Sequence, residues 1–404
     1  MNMNKLALNC NEIKISDAPE PREVLLPLKD FDKEKDKQRL KEGKRVITGE
    51  PITRGVFSTV TGRVKGVEPV FTGVGQLTAV RIEVAEEEEI DSALQLKTKK
   101  ELTLLERDPV DLLEKLNRSN LGFCRELEKV QTVIVSAVDA DLFTTVNQQV
   151  LRENKDLVKE GLKLVQHLTA ARQVVLAVPD PLWEIAADIA GDSIHIYKVK
   201  PFYPNSLPEI LVRDMARIYH FDSHVFLTVE KLVAVVKALQ ENQPFVYKVV
   251  TVIDENGAEN FRVRIGTPLK DILKLKEIHL ETGEKIIIGG PFRGYTCFST
   301  EIPITEDMDS IYVQPVAETV YYHNNQCMNC GKCVKVCPVN LDVNLICRYS
   351  EFSLFEQCRE MGVDICIECG LCAYYCPSGR SLVQFIRLAK SEIEKLEKEG
   401  EEVS

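Results

Sequence analysis

Ten of the thirteen cysteines fall between Cys327 and Cys376, and eight of them stand in two copies of one spacing. Cys327-Met-Asn-Cys330-Gly-Lys-Cys333-Val-Lys-Val-Cys337-Pro338 reads C-x2-C-x2-C-x3-C-P, and Cys366-Ile-Glu-Cys369-Gly-Leu-Cys372-Ala-Tyr-Tyr-Cys376-Pro377 repeats it. Two-residue gaps let one loop wrap three thiolates around one face of an iron–sulfur cube. The fourth cysteine, three residues on, begins a helical turn and, in two-cluster ferredoxins, ligates the other cube. That rule assigns Cys327, Cys330, Cys333 and Cys376 to one [4Fe–4S] cluster, and Cys366, Cys369, Cys372 and Cys337 to the second. Gly331 and Gly370 follow the second cysteine of each run. A small residue there lets backbone amides approach the sulfides, and such bonds tune the potential. Structural zinc also takes four cysteines, but usually as one C-x2-C paired with a distant second. Two full runs, each closed by proline, fit it poorly.

The remaining cysteines do not suggest a disulfide framework, which suits short secreted chains. This chain has 404 residues, and Met1 to Cys10 lacks the apolar core of a secretory signal. Cys347 and Cys358 read as small core residues. No stretch approaches the roughly 18 uninterrupted apolar residues of a membrane span. A cytoplasmic protein is expected, peripheral on the cytoplasmic face of a membrane if partners hold it there. The net charge of −11 argues against nucleic acid as a partner.

The length calls for several domains. Residues 1–20 read as a polar lead-in. Short β-branched runs punctuated by glycine, such as Val24-Leu25-Leu26-Pro27-Leu28 and Thr59-Val60-Thr61-Gly62-Arg63-Val64, mark a β module over 21–90. Its acidic end, residues 86–89, and the lysines at 97–100 read as a solvated linker. Over 105–245, buried-strand runs at 132–135, 174–178 and 194–197 alternate with helical spacing at 153–169 and 185–189, which argues for a parallel α/β sheet. Strands at 249–253, 261–265 and 285–288 make a β-rich piece over 246–315. Thr267 is the expected N-cap of a helix, with Pro268 at its first position. The cysteine region spans 316–392, and residues 393–404 form a charged tail. The insert between the two cysteine runs, residues 343–361, has helical spacing with Leu345, Ile346, Tyr349, Leu354 and Phe355 on its apolar side.

The tail, Cys366 to Cys376 followed by Pro377 and then Ser381-Leu382-Val383-Gln384-Phe385-Ile386-Arg387-Leu388-Ala389-Lys390, strongly resembles the C subunit (RnfC) of the Rnf ferredoxin:NAD oxidoreductase complex. Arg264-Ile265-Gly266-Thr267-Pro268-Leu269-Lys270-Asp271 and Ile288-Gly289-Gly290-Pro291-Phe292-Arg293-Gly294 resemble that family's soluble-ligand-binding β-grasp (SLBB) segment. Leu25-Leu26-Pro27-Leu28, Glu42-Gly43 and Thr48-Gly49 resemble its N-terminal barrel-sandwich. The likeness covers about residues 20–390. It implies a multidomain α/β plus α+β chain: barrel-sandwich, complex-I-flavoprotein-like α/β domain, SLBB-like β-grasp, and a C-terminal α-helical domain with two [4Fe–4S] clusters.

The central domain departs from the family. A Gly-rich loop there cradles FMN phosphate, because backbone amides can approach an anion only where no Cβ intervenes. The matching stretch, Leu116-Asn117-Arg118-Ser119-Asn120-Leu121-Gly122-Phe123-Cys124-Arg125, has one glycine. Ser136-Ala137-Val138-Asp139-Ala140-Asp141 and Pro204-Asn205-Ser206-Leu207-Pro208-Glu209 replace two further family loops. The flavin and nucleotide apparatus therefore reads as degenerate: neither an FMN nor an NAD site is assigned, and no catalytic residue.

Weaker features have structural explanations. Gly73-Val74-Gly75 suits a hairpin loop better than a dinucleotide site. Gly289-Gly290-Pro291 suits a turn. Trp183, Tyr374 and Tyr375 suit packing. The expected role is an iron–sulfur electron-transfer subunit of a membrane-associated or soluble redox complex, with ferredoxin-like, flavoprotein or membrane subunits as partners. An FMN-dependent NADH dehydrogenase subunit with a diverged flavin loop is the alternative, and a scaffold subunit the third possibility.

Overall fold

The structure, a computed structural model, describes residues 6–28, 31, 32, 36, 40–72, 75–94, 103–119, 121, 130–318 and 325–402. Half of the Gly-poor loop (Asn120 and residues 122–125), the lysines at 97–100 and the Gly73-Val74 turn lie outside the described residues. The chain divides into two compact units. One comprises Met1–Gly290 and Tyr295–Val316, the other Pro291–Gly294 and Ala317–Ser404.

Within the first unit, four parallel strands lie in the order Ile194–Val199, Gln173–Pro179, Thr132–Ser136, His224–Thr228. Every residue of Thr132–Ser136 is buried, as expected of an apolar run covered on both faces. The expected helix at 153–169 begins at Lys155, after a second helix, Val146–Glu153. Lys155–Thr169 packs on Val229–Gln240 through Gly161, where a Cβ would lie 2.8 Å from Leu232 Cγ and 3.0 Å from Val236 Cγ2. The order of the strands reverses beside Thr132–Ser136: the next two strands stack to one side, and His224–Thr228 returns on the other.

A six-stranded mixed sheet runs Ile15–Asp17, Gly257–Arg264, Tyr247–Asp254, Ser310–Gln314, Lys285–Ile288, Tyr295–Cys297. Its first strand corrects the expectation that residues 1–20 are a lead-in. Ile15–Asp17 is mostly exposed, so it joins through backbone bonds and leaves no hydrophobic pattern. Thr267 is not the N-cap. The helix is Leu269–Leu275 with Pro268 before it, and the Thr267 hydroxyl donates to Arg264 O at 2.7 Å.

The N-terminal sheet, Glu23–Pro27, Gly75–Val84, Gly62–Thr72 and Arg45–Val46, keeps a core of its own around Val24, Val46, Val64, Val80 and Ile82, but its other face is shared. Leu25, Val70 and Ala79 pack with Val250, Phe261 and Leu273 of the six-stranded region. Glu88, expected in a solvated linker, instead accepts from the buried Arg264 at 2.9 Å and from the Thr48 hydroxyl at 2.8 Å.

In the second unit the insert is two helices, Val343–Glu351 and Phe355–Glu360, separated at Ser353, which has φ +56°. Leu345 and Leu354 are exposed. The buried stripe is Val343, Ile346, Cys347 and Ser350, one helical face on which residue 345 has no place. A single helix, Leu382–Glu402, crosses the expected boundary at 392, with Ile393 buried. Among the described residues no helix is long and apolar enough to cross a membrane.

Candidate functional site

Each half of the cysteine region folds alike. The C-x2-C loop turns through two left-handed residues, Asn329 and Gly331 in one half and Glu368 and Gly370 in the other. A one-turn helix follows, Lys332–Lys335 or Leu371–Tyr374. At Gly370 a side chain is doubly excluded: φ is +75°, and a Cβ would lie 2.9 Å from Phe292 O. The turns aim amides at sulfur. Glu368 N donates to Cys366 Sγ at 3.4 Å, and Leu341 N donates to Cys337 Sγ at 3.3 Å.

The eight thiols line two cavities. Cys327, Cys330, Cys333 and Cys376 surround one, and Cys337, Cys366, Cys369 and Cys372 the other. Each wall takes three cysteines from one run and the last from the other. Cys347 also borders the first cavity, but its thiol donates to Leu382 O; that of the buried Cys358 donates to Ile346 O. Both lie in the hydrophobic core of this unit.

Among the described residues no three His, Cys, Asp or Glu side chains converge tightly enough to hold a single ion. Burial pushes Cys369 up to about 11 and Cys372 up to about 12, and raises Cys333 and Cys366. Ligation by these thiols must therefore displace protons. Beside the second cavity, Glu368 accepts from Arg387 Nε at 2.7 Å and from Lys390 Nζ at 3.3 Å, and Lys390 donates to Cys366 O at 2.6 Å. Tyr374 is half exposed and packs against Phe292 and Tyr375, with ring centroids 5.3 and 4.9 Å away.

The other place where such a chain could hold a ligand is the carboxyl end of its parallel sheet, at the point where strand order reverses. Here that crevice is filled by the chain itself. Asp139, just past Thr132–Ser136, accepts from Asn147 N at 2.8 Å and Gln148 N at 3.4 Å, taking the helix N-terminus that a phosphate would otherwise take. Asn147 Oδ1 accepts from Glu230 N at 3.2 Å. Glu230 pairs with Lys248 at 2.5 Å, and Lys248 pairs also with Asp309 at 2.7 Å. Residues 6–13 then cross the loops that follow the strands. Tyr203 N donates to Leu6 O, Leu8 N to Pro201 O and Asn9 N to Leu142 O, while the Gln148 amide donates to Asn9 O.

Burial pushes Asp139 up to about 7, an effect its amide donors oppose and Asp309 reinforces. Burial alone would lower the Lys248 pKa, but Asp309 and Glu230 outweigh it and hold the ammonium charged. Sequence inspection missed this network. Asp139 and Asp141 stood out only as departures from a family loop, and Glu230, Lys248 and Asp309 carry no shared spacing. Gly289 and Gly290 do form a turn, with φ +88° and +85°, and a Cβ on Gly290 would lie 2.5 Å from Asp141 Cγ. Trp183 is partly buried beneath Lys198 Nζ, 3.9 Å from the ring centroid.

Residues 319–392 match the family described as 4Fe-4S dicluster domain. Over 98% of its length the chain is 26% identical to the C subunit of the ion-translocating oxidoreductase complex of Yersinia pestis bv. Antiqua (strain Antiqua), covering 69% of that protein. The same name belongs to a Yersinia pseudotuberculosis serotype IB protein, 26% identical over 98% of this chain and 65% of its own length. The C subunit from Vibrio cholerae serotype O1 is 26% identical over 87% of this chain and 50% of its own. The chain thus spans one half to about two thirds of these relatives. Among solved structures, an NAD+-reducing [NiFe]-hydrogenase in the H2-reduced state aligns over 70% of this chain and 62% of its own, with a TM-score of 0.41 and 12% identity, a likeness too loose to carry an argument.

Proposed function

We propose that this chain, a homologue of the C subunits of the ion-translocating oxidoreductase complexes, is the iron–sulfur relay of a multi-subunit redox complex. One observation carries the proposal: each of two cavities has on its wall four cysteines of the C-x2-C-x2-C-x3-C-P runs, three from one run and one from the other. Cys327, Cys330, Cys333 and Cys376 would hold one [4Fe–4S] cluster, and Cys366, Cys369, Cys372 and Cys337 the second. When bound, the clusters supply one-electron chemistry.

The protein's own residues then have three tasks. The left-handed loop residues aim amides at the sulfurs. Ile346, Val383 and Ile386 exclude water. Cys330, exposed beside Met328, leaves an edge of the first cavity open to a partner. Other redox subunits are the partners this role requires, and docking on the cytoplasmic side of a membrane fits it.

The filled crevice weighs against an FMN-dependent NADH dehydrogenase. Asp139 takes the helix amides, and residues 6–13 take the space outside the strand ends. A scaffold role alone would not require eight thiols in ligand order.

Crossed ligation gives the test. Cys337→Ser and Cys369→Ser lie in different runs, yet both are expected to spoil the same cluster and spare the other, as read by electron paramagnetic resonance of the reduced protein. If each serine instead affects only the cluster of its own run, the crossed assignment is wrong.

A further inference from the structure

Arg380 sits on the wall of the cavity formed by Cys327, Cys330, Cys333 and Cys376. The chain reaches it through Pro377, Ser378 and the left-handed Gly379, at φ +58°. The residue is 7% exposed. One terminal nitrogen is committed to Glu351 at 2.7 Å. The guanidinium lies over Phe385, 5.5 Å from the ring centroid, which further fixes its plane. Its Nε is buried and has no hydrogen-bond partner among the described residues. An unsatisfied donor on a buried cation is costly, and native chains rarely keep one without a use. Beside the second cavity Arg387 and Lys390 are committed to Glu368 and to Cys366 O, and among the described residues its charged lining residue is Glu368.

Resting on the cluster reading above, we propose that Arg380 Nε–H donates to a sulfur of the cluster held by Cys327, Cys330, Cys333 and Cys376, and that this bond raises the reduction potential of that cluster alone. Reduction adds one electron, and so one negative charge, to the cluster; no bond breaks and no proton need move. A buried N–H donor from a cation stabilises the more negative, reduced state more than the oxidised one. Glu351 neutralises much of the net charge of Arg380, so the effect comes from the directed N–H more than from the formal charge. Arg380 is in this sense a tuning residue, placed to make one of the two clusters the better electron acceptor.

The test is an anaerobic redox titration of the full-length, cluster-loaded protein with a chemical reductant and mediators, followed by electron paramagnetic resonance. Arg380→Met keeps the apolar stem and removes every donor. Arg380→Lys keeps the charge and removes the Nε–H. In both, the reduction equilibrium of one cluster is expected to fall about tenfold, ~59 mV for a one-electron couple, while the other cluster titrates as in the unmodified protein. Glu351→Gln leaves the Nε–H in place and is expected to shift neither cluster downward. Loaded Arg380 variants that titrate like the unmodified protein would overturn the inference, as would equal shifts in both clusters. An unmodified protein devoid of iron would instead refute the relay proposal itself.

Discussion

Lys248 is 1% exposed and held between Glu230 and Asp309. Removing one member of such a buried group strands the charges that remain. Lys248→Met is therefore expected to cost about 3–5 kcal/mol, read as a lower denaturant midpoint. Asp139 gives a pH signature. Its ordinary value is 3.8 and its folded value about 7. The folded state thus binds the extra proton between those limits, and this residue's contribution to stability falls as pH rises from about 4 to about 7. The effect is on the order of a few kcal/mol. Asp139→Asn should flatten that slope, as measured by unfolding at several pH values. At this scale the sequence was legible only for the cysteines. The cysteines that line the two cavities, Cys327 to Cys337 and Cys366 to Cys376, stand in a fixed spacing along the chain, the kind of pattern a sequence displays. Glu230, Lys248 and Asp309 meet across long loops, and Arg380 gains its meaning from a cavity that no linear pattern reveals.

Among elements, apolar runs were legible and polar ones were not. Thr132–Ser136 and Gln173–Pro179 appear close to where their β-branched runs put them, because burial on both faces leaves a continuous apolar stretch, and the edge strand Ile194–Val199 shows through its alternating Ile194 and Ile196. Ile15–Asp17 and residues 6–13 attach through backbone and side-chain amide bonds, which composition does not record. The insert showed helical spacing, but its exposed leucines obscured the break at Ser353. Helix packing in the α/β region turns on Gly161, where Lys155–Thr169 closes on Leu232 and Val236. Gly161→Leu is expected to force these helices apart at about 1–3 kcal/mol, seen as a lower midpoint for the α/β region in hydrogen exchange.

For the molecule as a whole, the cysteine-lined cavities and the filled crevice point the same way. The α/β region retains a parallel sheet with a reversal of strand order, yet its ligand crevice holds the chain's own Asp139 and N-terminal residues. On the proposed reading the chemistry falls to the unit with the cysteines. The purified chain is accordingly expected to release no flavin on acid precipitation, checked by fluorescence of the supernatant. The family resemblance, carried by the cysteine tail and short glycine-bearing segments, pointed to the role proposed above. The fate of the crevice was not, because it depends on which residues fill space rather than on which motif is missing.

The most direct measurement is the iron, acid-labile sulfide and zinc content of the full-length chain prepared without oxygen. Two [4Fe–4S] clusters predict about eight iron and eight sulfide per chain, with zinc at background. Stoichiometric zinc, or iron and sulfide only in traces, would contradict the account.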